Sequence, residues 1–217
     1  MLPVAGVDGC RSGWVVVSAG DAFVCADFAG VLASLPDDAV IGIDIPIGLL
    51  DQHVPGGREC DRAARRLLGV RRSSVFTPPI RPALGARSLA EARTLGWPTT
   101  MQALNITPKV ADVDRSLTPA VQERVFEVHP ELAFAALDGG AVVPSLKATR
   151  AGRDDRRLLL ERAGVVVPPV PGGAQENDLL DACAVAWSAY RIARDTHRRV
   201  PEQIQRDRRG LRMDVNW

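Results

Sequence analysis

The sequence predicts an α/β protein with a mixed β-sheet that carries helices on both faces. Three short β-branched runs joined by tight turns begin the chain, which is typical of an antiparallel meander. A nearly all-apolar run at residues 39–50 comes after a short helical pattern, as expected for a fully buried strand that follows a crossover helix. Helical patterns dominate the remaining sequence, so we expect hairpins and crossovers in one sheet.

Three strands and one helix are predicted before the buried run. Turn residues at 11–13 and 20–21 separate the strands, whose predicted bounds are 4–9, 14–19 and 22–28. Apolar residues at helical spacing predict a helix over 28–35, which ends before Pro36. Pro46 must end the pairing of the fourth strand, because proline has no N–H to donate.

An Arg-rich helical and loop segment is predicted between the fourth and fifth strands. We assign it to residues 51–120, as an insertion within a single domain that spans 1–217. Residues 58–93 carry nine arginines and three acidic residues, a local net charge of +6. The Pro- and Arg-rich stretch 70–85 is predicted to be a loop. Helical patterns in this part of the chain cover 57–69, 88–96 and 118–124.

The C-terminal half is predicted to supply the fifth strand and the last helices. Residues 124–130 alternate between two faces, as a strand does. A helix is predicted over 154–164, with its last residue, a glycine, at the C-cap. A Pro- and Gly-rich loop then leads to a long helix over 176–199, and the polar, Arg-rich residues that follow are expected to fray.

Composition limits the classes to which the chain can belong. Apolar residues make up 46% of the 217 residues, enough for a substantial core, and the formal net charge of +1 argues against a globally basic nucleic-acid coat. The four cysteines are scattered and no targeting pattern is found, so we expect a cytoplasmic protein. No apolar run is long enough to span a bilayer, so no membrane partner is expected.

Five acidic residues lie where a carboxylate is costly to bury, and they are the candidate catalytic residues: Asp8, Asp44, Glu127, Asp178 and Asp181. Burying an unpaired carboxylate costs on the order of several kcal/mol. Several carboxylates close together also repel one another. A hard divalent cation, Mg²⁺ or Mn²⁺, would make such a cluster stable while it remains charged. The pattern therefore predicts a metal site.

Each of these acids also has a structural interpretation. Asp8 can form an Asx turn, and Asp44 can cap a turn before Ile-Pro. Glu127 can pair with an arginine, and acids near a helix N-terminus are favoured by the macrodipole. The metal interpretation depends on the acids meeting in space. The glycines at positions 6 and 9 would then leave room for ions and phosphate beside Asp8.

Six ordered segments carry a resemblance to a known family. They are GVDGCRSGW, IGIDIPIGL, RECDRAARRLLGVRRSSVFTPP, EVHPELAF, KATRAGRDDRRLLL and NDLLDACAVAW. In these segments, which run through most of the chain, the sequence resembles domain-of-unknown-function family 429, described as predicted ribonuclease-H-like nucleases.

The resemblance implies a ribonuclease-H-like sheet of five strands in the order 3-2-1-4-5, with the second strand antiparallel. Asp8 and Asp44 would lie side by side on adjacent strands, and the last helix would bring Asp178 and Asp181 to them. Related Holliday-junction resolvases have the same three-residue spacing of acids in this helix. Family members often have two adjacent acids at the start of the motif, whereas here the first position is Asn177. The implied metal ligands are Asp8, Asp44 and Asp181.

Six basic residues are candidate substrate contacts: Arg11, Arg58, Arg71, Arg72, His129 and Lys147. Arginines of the insertion can neutralise backbone phosphates, and their alternative role is a solvated helix face or pairing with nearby acids. The two arginines at 71 and 72 lie beside two serines in a loop that can also aim backbone N–H groups at phosphate. His129 can be a ligand, a proton carrier or a satisfied strand residue.

Lys147 is a candidate because of the resemblance alone. Together with Arg153 and Arg156, it matches the family's basic stretch after the fifth strand. Surface solvation is expected for at least two of the three.

The function predicted from these features is hydrolysis of phosphodiester bonds by a nuclease that uses Mg²⁺ or Mn²⁺ and binds DNA or RNA. Two alternatives stay open. One is a non-catalytic domain of the same fold that binds nucleic acid or protein. The other is an actin-like phosphotransferase, which also begins with Asp-Gly on its first strand but needs a second lobe and a second Gly-rich phosphate loop, and neither is found in the sequence.

Overall fold

The computed structural model describes residues 3–217, which form seven strands and eight α-helices. The strands are β1 (Val4–Cys10), β2 (Gly13–Ser18), β3 (Asp21–Cys25), β4 (Val40–Ile43), β5 (Val125–Glu127), β6 (Arg199–Arg206) and β7 (Arg212–Asn216). The helices are α1 (Phe28–Ser34), α2 (Glu59–Leu68), α3 (Leu89–Thr94), α4 (Met101–Ser116), α5 (Pro119–Gln122), α6 (Pro130–Leu137), α7 (Arg150–Arg162) and α8 (Glu176–Ala193). The chain divides into two compact units.

The first unit is built on a five-stranded mixed sheet. It comprises the described part of Met1–Asp44 together with Arg124–Arg198 and Asn216–Trp217. The strand order is β3-β2-β1-β4-β5; β2 is antiparallel to both of its neighbours, and β1, β4 and β5 run parallel. The predicted order 3-2-1-4-5 and the predicted strand directions are confirmed. The parallel pairs require crossovers, and α1 supplies the first of these between β3 and β4.

Helix α8 packs across the centre of this sheet, against β1, β4 and β2. Two strand glycines allow the close approach. A Cβ atom on Gly6 would lie 2.1 Å from the Ala182 carbonyl oxygen, and one on Gly42 would lie 2.8 Å from a Val185 methyl carbon. The first distance is far inside van der Waals contact, so no side chain fits between β1 and α8 at Gly6. The prediction that Gly6 leaves room for ions and phosphate is therefore wrong: the space above it is filled by the helix backbone.

The second unit comprises Ile45–Glu123 and Arg199–Val215. It contains α2 to α5, the two-stranded β6–β7 sheet and two short 3₁₀ helices at Gly69–Ser74 and Arg81–Ala83. A hydrophobic cluster around the fully buried Trp97 forms its core; the other members are Ile80, Ala83, Ala92, Ala103 and Leu104. The helices lie between β4 and β5 in sequence, as expected. The prediction of one domain with an insertion at 51–120 stays a prediction.

The C-terminal segment differs from the prediction. The residues expected to fray form β6 and β7, and every residue of β7 is buried. Within the second unit, Gln122 Nε2 donates to the Arg212 carbonyl oxygen at 3.0 Å, and the Arg212 N–H donates to Gln122 Oε1 at 2.6 Å. Asp207 pairs with Arg81 and accepts the Leu49 N–H at 3.1 Å. Partners distant in sequence thus satisfy polar groups that would otherwise favour solvent.

Helix boundaries also differ from the predictions. Helix α8 ends at Ala193 rather than at residue 199, where the Arg191 carbonyl oxygen accepts the Thr196 N–H at 2.9 Å and Asp195 adopts a positive φ of 54°. Such a turn ends the helical ladder. The stretch 70–85, predicted to be a loop, contains both 3₁₀ helices.

Candidate metal centre

Three carboxylates converge at the edge of the central strands in the first unit. Asp8 lies on β1, Asp44 directly follows β4, and Asp181 lies in the second turn of α8. In the parallel pairing of β1 with β4, Val7 is opposite Ile43, and the Asp44 N–H donates to the Val7 carbonyl oxygen at 2.9 Å. The next residues in register are therefore the two aspartates, side by side.

The close packing of α8 on β1 brings the third carboxylate to the strands. One oxygen of each of Asp8, Asp44 and Asp181 lies within 4.8 Å of the others. Asp181 is only 2% exposed, and Asp8 and Asp44 are partly buried. Carboxylate oxygens are the ligands that hard divalent cations prefer, so this buried acidic triad can hold a divalent ion.

Burial and the repulsion among the three acids raise the pKa of two of them. Burial is the largest cause that raises the pKa of Asp8 well above its ordinary value, followed by the charges of Asp44 and Asp181. Burial is also the largest cause that raises the pKa of Asp44, to about 7; Lys147 lowers this pKa, and the charges of Asp181 and Glu127 contribute to the increase. The site is thus short of positive charge, which a bound cation would supply.

Lys147 provides part of that missing charge. Its Nζ donates to Asp181 Oδ2 at 2.6 Å, and the Asp181 charge is the largest cause that raises the Lys147 pKa. The residue lies in the segment between α6 and α7, and its side chain is 50% exposed whereas that of Asp181 is 3% exposed. An ammonium group therefore already contacts one oxygen of the triad.

The other two predicted acids lie beside the triad. The Asp178 carboxylate accepts the Gln175 N–H at 2.9 Å and so caps α8, while its charge also raises the pKa of Asp8. Glu127 is 7% exposed on β5, and its charge raises the pKa of Asp44. Within the described residues, the cluster with metal-ligand spacing contains neither of them.

The predicted basic residues fall into two groups. In the first unit, Arg11 is exposed in the turn after β1, and His129 Nδ1 accepts the Glu131 N–H at 3.2 Å as the N-cap of α6. In the second unit, Arg58 is 2% exposed. Its guanidinium contacts the Asp61 carboxylate at 2.6 Å and donates to the Ile47 carbonyl oxygen at 2.7 Å. These buried contacts stabilise the fold of the second unit. A role of Arg58 in phosphate binding stays a prediction.

The two adjacent arginines predicted to bind phosphate lie in the 3₁₀ helix Gly69–Ser74 of the second unit. Arg71 is partly buried, whereas Arg72 is exposed. A short helix rather than an open loop therefore presents them.

Two basic residues expected at the solvated surface are instead paired. Arg153 Nε contacts Glu176 at 2.9 Å, and Arg156, only 1% exposed, contacts Glu131 Oε1 at 2.7 Å. With Lys147 bound to the triad, all three basic residues of this stretch have acidic partners, although Lys147 is half exposed and only Arg156 is fully buried. Their partners are separated from them by 23 or more residues, beyond the reach of helix spacing.

Sequence reasoning missed Glu131 as a residue near the site. It is 7% exposed, its second carboxylate oxygen has no hydrogen-bond partner among the described residues, and its charge raises the pKa of Asp44. An acid one residue after Pro130 is typical of a helix first turn, which conceals its burial in the sequence. Its presence in the quoted segment EVHPELAF was the available signal.

The fold and the triad define an α/β protein with three acids at the end of a parallel strand pair and on the helix that crosses it. The chain belongs to the family described as "Protein of unknown function (DUF429)", whose family model matches residues 6–206. Neither the comparison with curated proteins nor the comparison with solved structures found a match.

Membrane spans were sought in the helices of residues 3–217. None combines the length and the apolar character that crossing a bilayer requires.

Proposed function

We propose that the protein is a divalent-metal-dependent nuclease of ribonuclease-H-like type, which hydrolyses phosphodiester bonds at Asp8, Asp44 and Asp181. The observation that carries this proposal is the meeting of three carboxylate oxygens within 4.8 Å, from two adjacent strands and one crossing helix. Acids so close together favour a cation, and Mg²⁺ and Mn²⁺ are the ions whose ligand preference they match.

The chemistry of the donor set fits such a cation. Asp8 and Asp44 have raised pKa values because burial and mutual repulsion disfavour their charged forms. Asp181 already binds the Lys147 ammonium. When bound, a divalent ion would acidify a water molecule and stabilise charge on the phosphoryl oxygens. The three aspartates would hold the ion, with Glu127 as a further acid beside Asp44.

The chain's own residues would do the rest of the work. Hydrolysis adds a water oxygen to phosphorus and breaks one P–O ester bond, and the departing oxygen gains a proton. Lys147, half exposed and bound to the triad, would turn its ammonium toward a phosphate oxygen of the substrate and neutralise its charge. The other nitrogen of His129, whose Nδ1 is bonded to the backbone, would carry a proton or contact the phosphate.

A nucleic acid is the substrate class that these features favour. A phosphodiester is the group that an acidic metal site of this kind cleaves, and residues 58–93 add a local charge of +6 to a nearly neutral chain. Arg11, exposed after β1, would contribute to the same attraction.

A cleavage assay with a matched pair of variants tests the proposal. Single-stranded, duplex and branched DNA and RNA are incubated with the protein and Mn²⁺ or Mg²⁺, and Asp8→Asn is compared with Asp38→Asn. Asp38 is an exposed acid of the same unit that precedes β4. We expect cleavage that needs metal, falls at least about 100-fold in Asp8→Asn, and is unchanged in Asp38→Asn.

The opposite results would overturn the proposal. Cleavage that survives Asp8→Asn would mean that another site or a contaminant acts. Metal binding with no cleavage of any of these substrates would favour the non-catalytic alternative. ATP hydrolysis that Asp8→Asn abolishes would favour phosphotransfer.

A further inference from the structure

A concave basic surface lies on the second unit, where α2 meets the 3₁₀ helix Gly69–Ser74. We call it the α2 basic surface. It is an open concavity of about 700 Å³. Its lining residues are Arg65, Arg66, Gly69, Val70 and Arg72. Neither the acidic triad nor any residue used above for metal binding belongs to it.

Two guanidinium groups of this surface are available to a ligand. Arg66 and Arg72 are exposed, and neither side chain has a hydrogen-bond or ion-pair partner among residues 3–217. Arg65 is held in place instead: its Nε donates to the Val75 carbonyl oxygen at 2.8 Å and its Nη2 to Thr77 Oγ1 at 3.1 Å. None of the three pairs with a carboxylate, so their positive charge is uncompensated.

The nearby acids are occupied elsewhere. Asp61 is buried against the Arg58 guanidinium at 2.6 Å, and Glu59 accepts a hydrogen bond from Gln205 Nε2 at 2.8 Å. Neither acid pairs with Arg66 or Arg72, so both guanidinium groups can bind an external anion. Arginine binds phosphate in a bidentate manner, so a phosphate is the anion that these groups fit best.

Apolar side chains lie among these charges. Val70, in the lining of the concavity, is 90% exposed, and Leu67 on α2 is 50% exposed. An exposed valine between arginines favours a ligand that has both phosphate groups and flat apolar faces. A nucleic acid has both, and its base faces are accessible only when the strand is unpaired.

We infer that the α2 basic surface binds a short stretch of single-stranded nucleic acid, with Arg66 and Arg72 on its phosphates and Val70 against a base. This inference rests on the proposed nuclease function and adds the form of its substrate. A volume of about 700 Å³ is in the range of small-molecule pockets, which suits a few nucleotides.

Salt-dependent binding measures the two phosphate contacts directly. Fluorescence anisotropy of a labelled single-stranded oligonucleotide is recorded with EDTA present, so that no cleavage occurs, at salt concentrations from about 50 to about 200 mM. Each phosphate contact with a single strand contributes about −0.7 to the slope of log K against log salt. The double variant Arg66→Ala/Arg72→Ala should therefore have a slope smaller by about 1.4. Over this range, wild-type binding should weaken about 7-fold more than binding of the variant.

Three further variants separate charge from shape. Arg66→Lys/Arg72→Lys keeps the charge and should retain most of the slope. Val70→Ser should weaken binding several-fold with an unchanged slope. Arg162→Ala/Arg199→Ala removes two exposed charges that lie outside residues 58–93 and should behave as the wild type.

An unchanged slope in Arg66→Ala/Arg72→Ala would overturn the inference, as would an equal loss in the Arg162→Ala/Arg199→Ala control. Tighter binding of duplex than of single strand, with the same dependence on Arg66 and Arg72, would overturn the single-stranded assignment. If Arg66→Ala/Arg72→Ala lost binding to phosphatidylserine vesicles but kept its binding to the oligonucleotide, the surface would bind lipid and the inference would be overturned. The binding experiment contains EDTA and does not depend on cleavage. Absence of nuclease activity in the separate cleavage assay would therefore overturn the proposed function but not the binding of single-stranded nucleic acid.

Discussion

The Asp44 carboxyl should make the stability of the metal-free protein depend on pH. Its pKa is raised from 3.8 to about 7, mainly by burial, and the charges of Asp181 and Glu127 contribute to this increase. A raised pKa means that the folded state holds this proton more tightly than the unfolded state does. The stabilisation is therefore complete below the unfolded pKa of about 3.8 and is lost as the pH rises through about 7.

The size of the effect follows from the two pKa values. A change from 3.8 to about 7 corresponds to roughly 4 kcal/mol of unfolding free energy once Asp44 is fully ionised in both states. Between about pH 5 and about pH 8 the wild type should lose about 3 kcal/mol of this. Asparagine keeps the shape of the side chain but cannot ionise, so Asp44→Asn should lack this part of the pH dependence.

Urea denaturation in EDTA at about pH 5 and about pH 8 measures the difference. Other groups titrate in both proteins, so the relevant quantity is the wild-type loss minus the Asp44→Asn loss, with Asp38→Asn as the control for an exposed acid. If the wild type and Asp44→Asn lost the same unfolding free energy between the two pH values, Asp44 would not be the group responsible for the pH dependence. Added Mn²⁺ should stabilise the wild type more at the higher pH, because fewer protons then compete with the ion.

Three other substitutions test the Lys147–Asp181 pair, the packing of α8 on β1 and the buried Arg58–Asp61 pair. Lys147→Met should tighten Mn²⁺ binding several-fold in calorimetry, because the ammonium no longer competes for the triad; equal or weaker binding would contradict this. Gly6→Ala should destabilise the protein by about 3 kcal/mol or more, because its Cβ would meet the Ala182 carbonyl, whereas Gly85→Ala, with open space around it, should be nearly neutral in urea titrations. Arg58→Ala should cost about 3–5 kcal/mol of unfolding free energy by leaving its buried aspartate partner uncompensated, and a cost below about 1 kcal/mol would contradict that interpretation.

The first four strands could be predicted because local chemistry specifies them. Turn residues between β1, β2 and β3 fix the hairpins, and the apolar run around β4 leaves no polar face for solvent. The order of the strands followed from the family resemblance. The hairpin β6–β7 could not be predicted, because the buried Arg212 of β7 is satisfied by Gln122, a partner 90 positions away.

Part of the candidate metal centre could also be predicted from the sequence. Asp8, Asp44 and Asp181 interrupt segments that are otherwise apolar, so their cost of burial is visible in the sequence. The pairing of Lys147 with Asp181 and the burial of Glu131 against Arg156 depend on how α6, α7 and α8 pack. No spacing rule in one sequence connects residues that meet only through packing.

The most direct test of the metal site is a crystal structure of the protein grown with Mn²⁺, with anomalous scattering used to locate the ion. We predict a peak between β1, β4 and α8, with an oxygen of each of Asp8, Asp44 and Asp181 at roughly 2.1–2.3 Å from it and Lys147 displaced from Asp181. A fully occupied ion elsewhere, or no ion at this triad when Mn²⁺ is saturating, would contradict the assignment of these three aspartates as metal ligands.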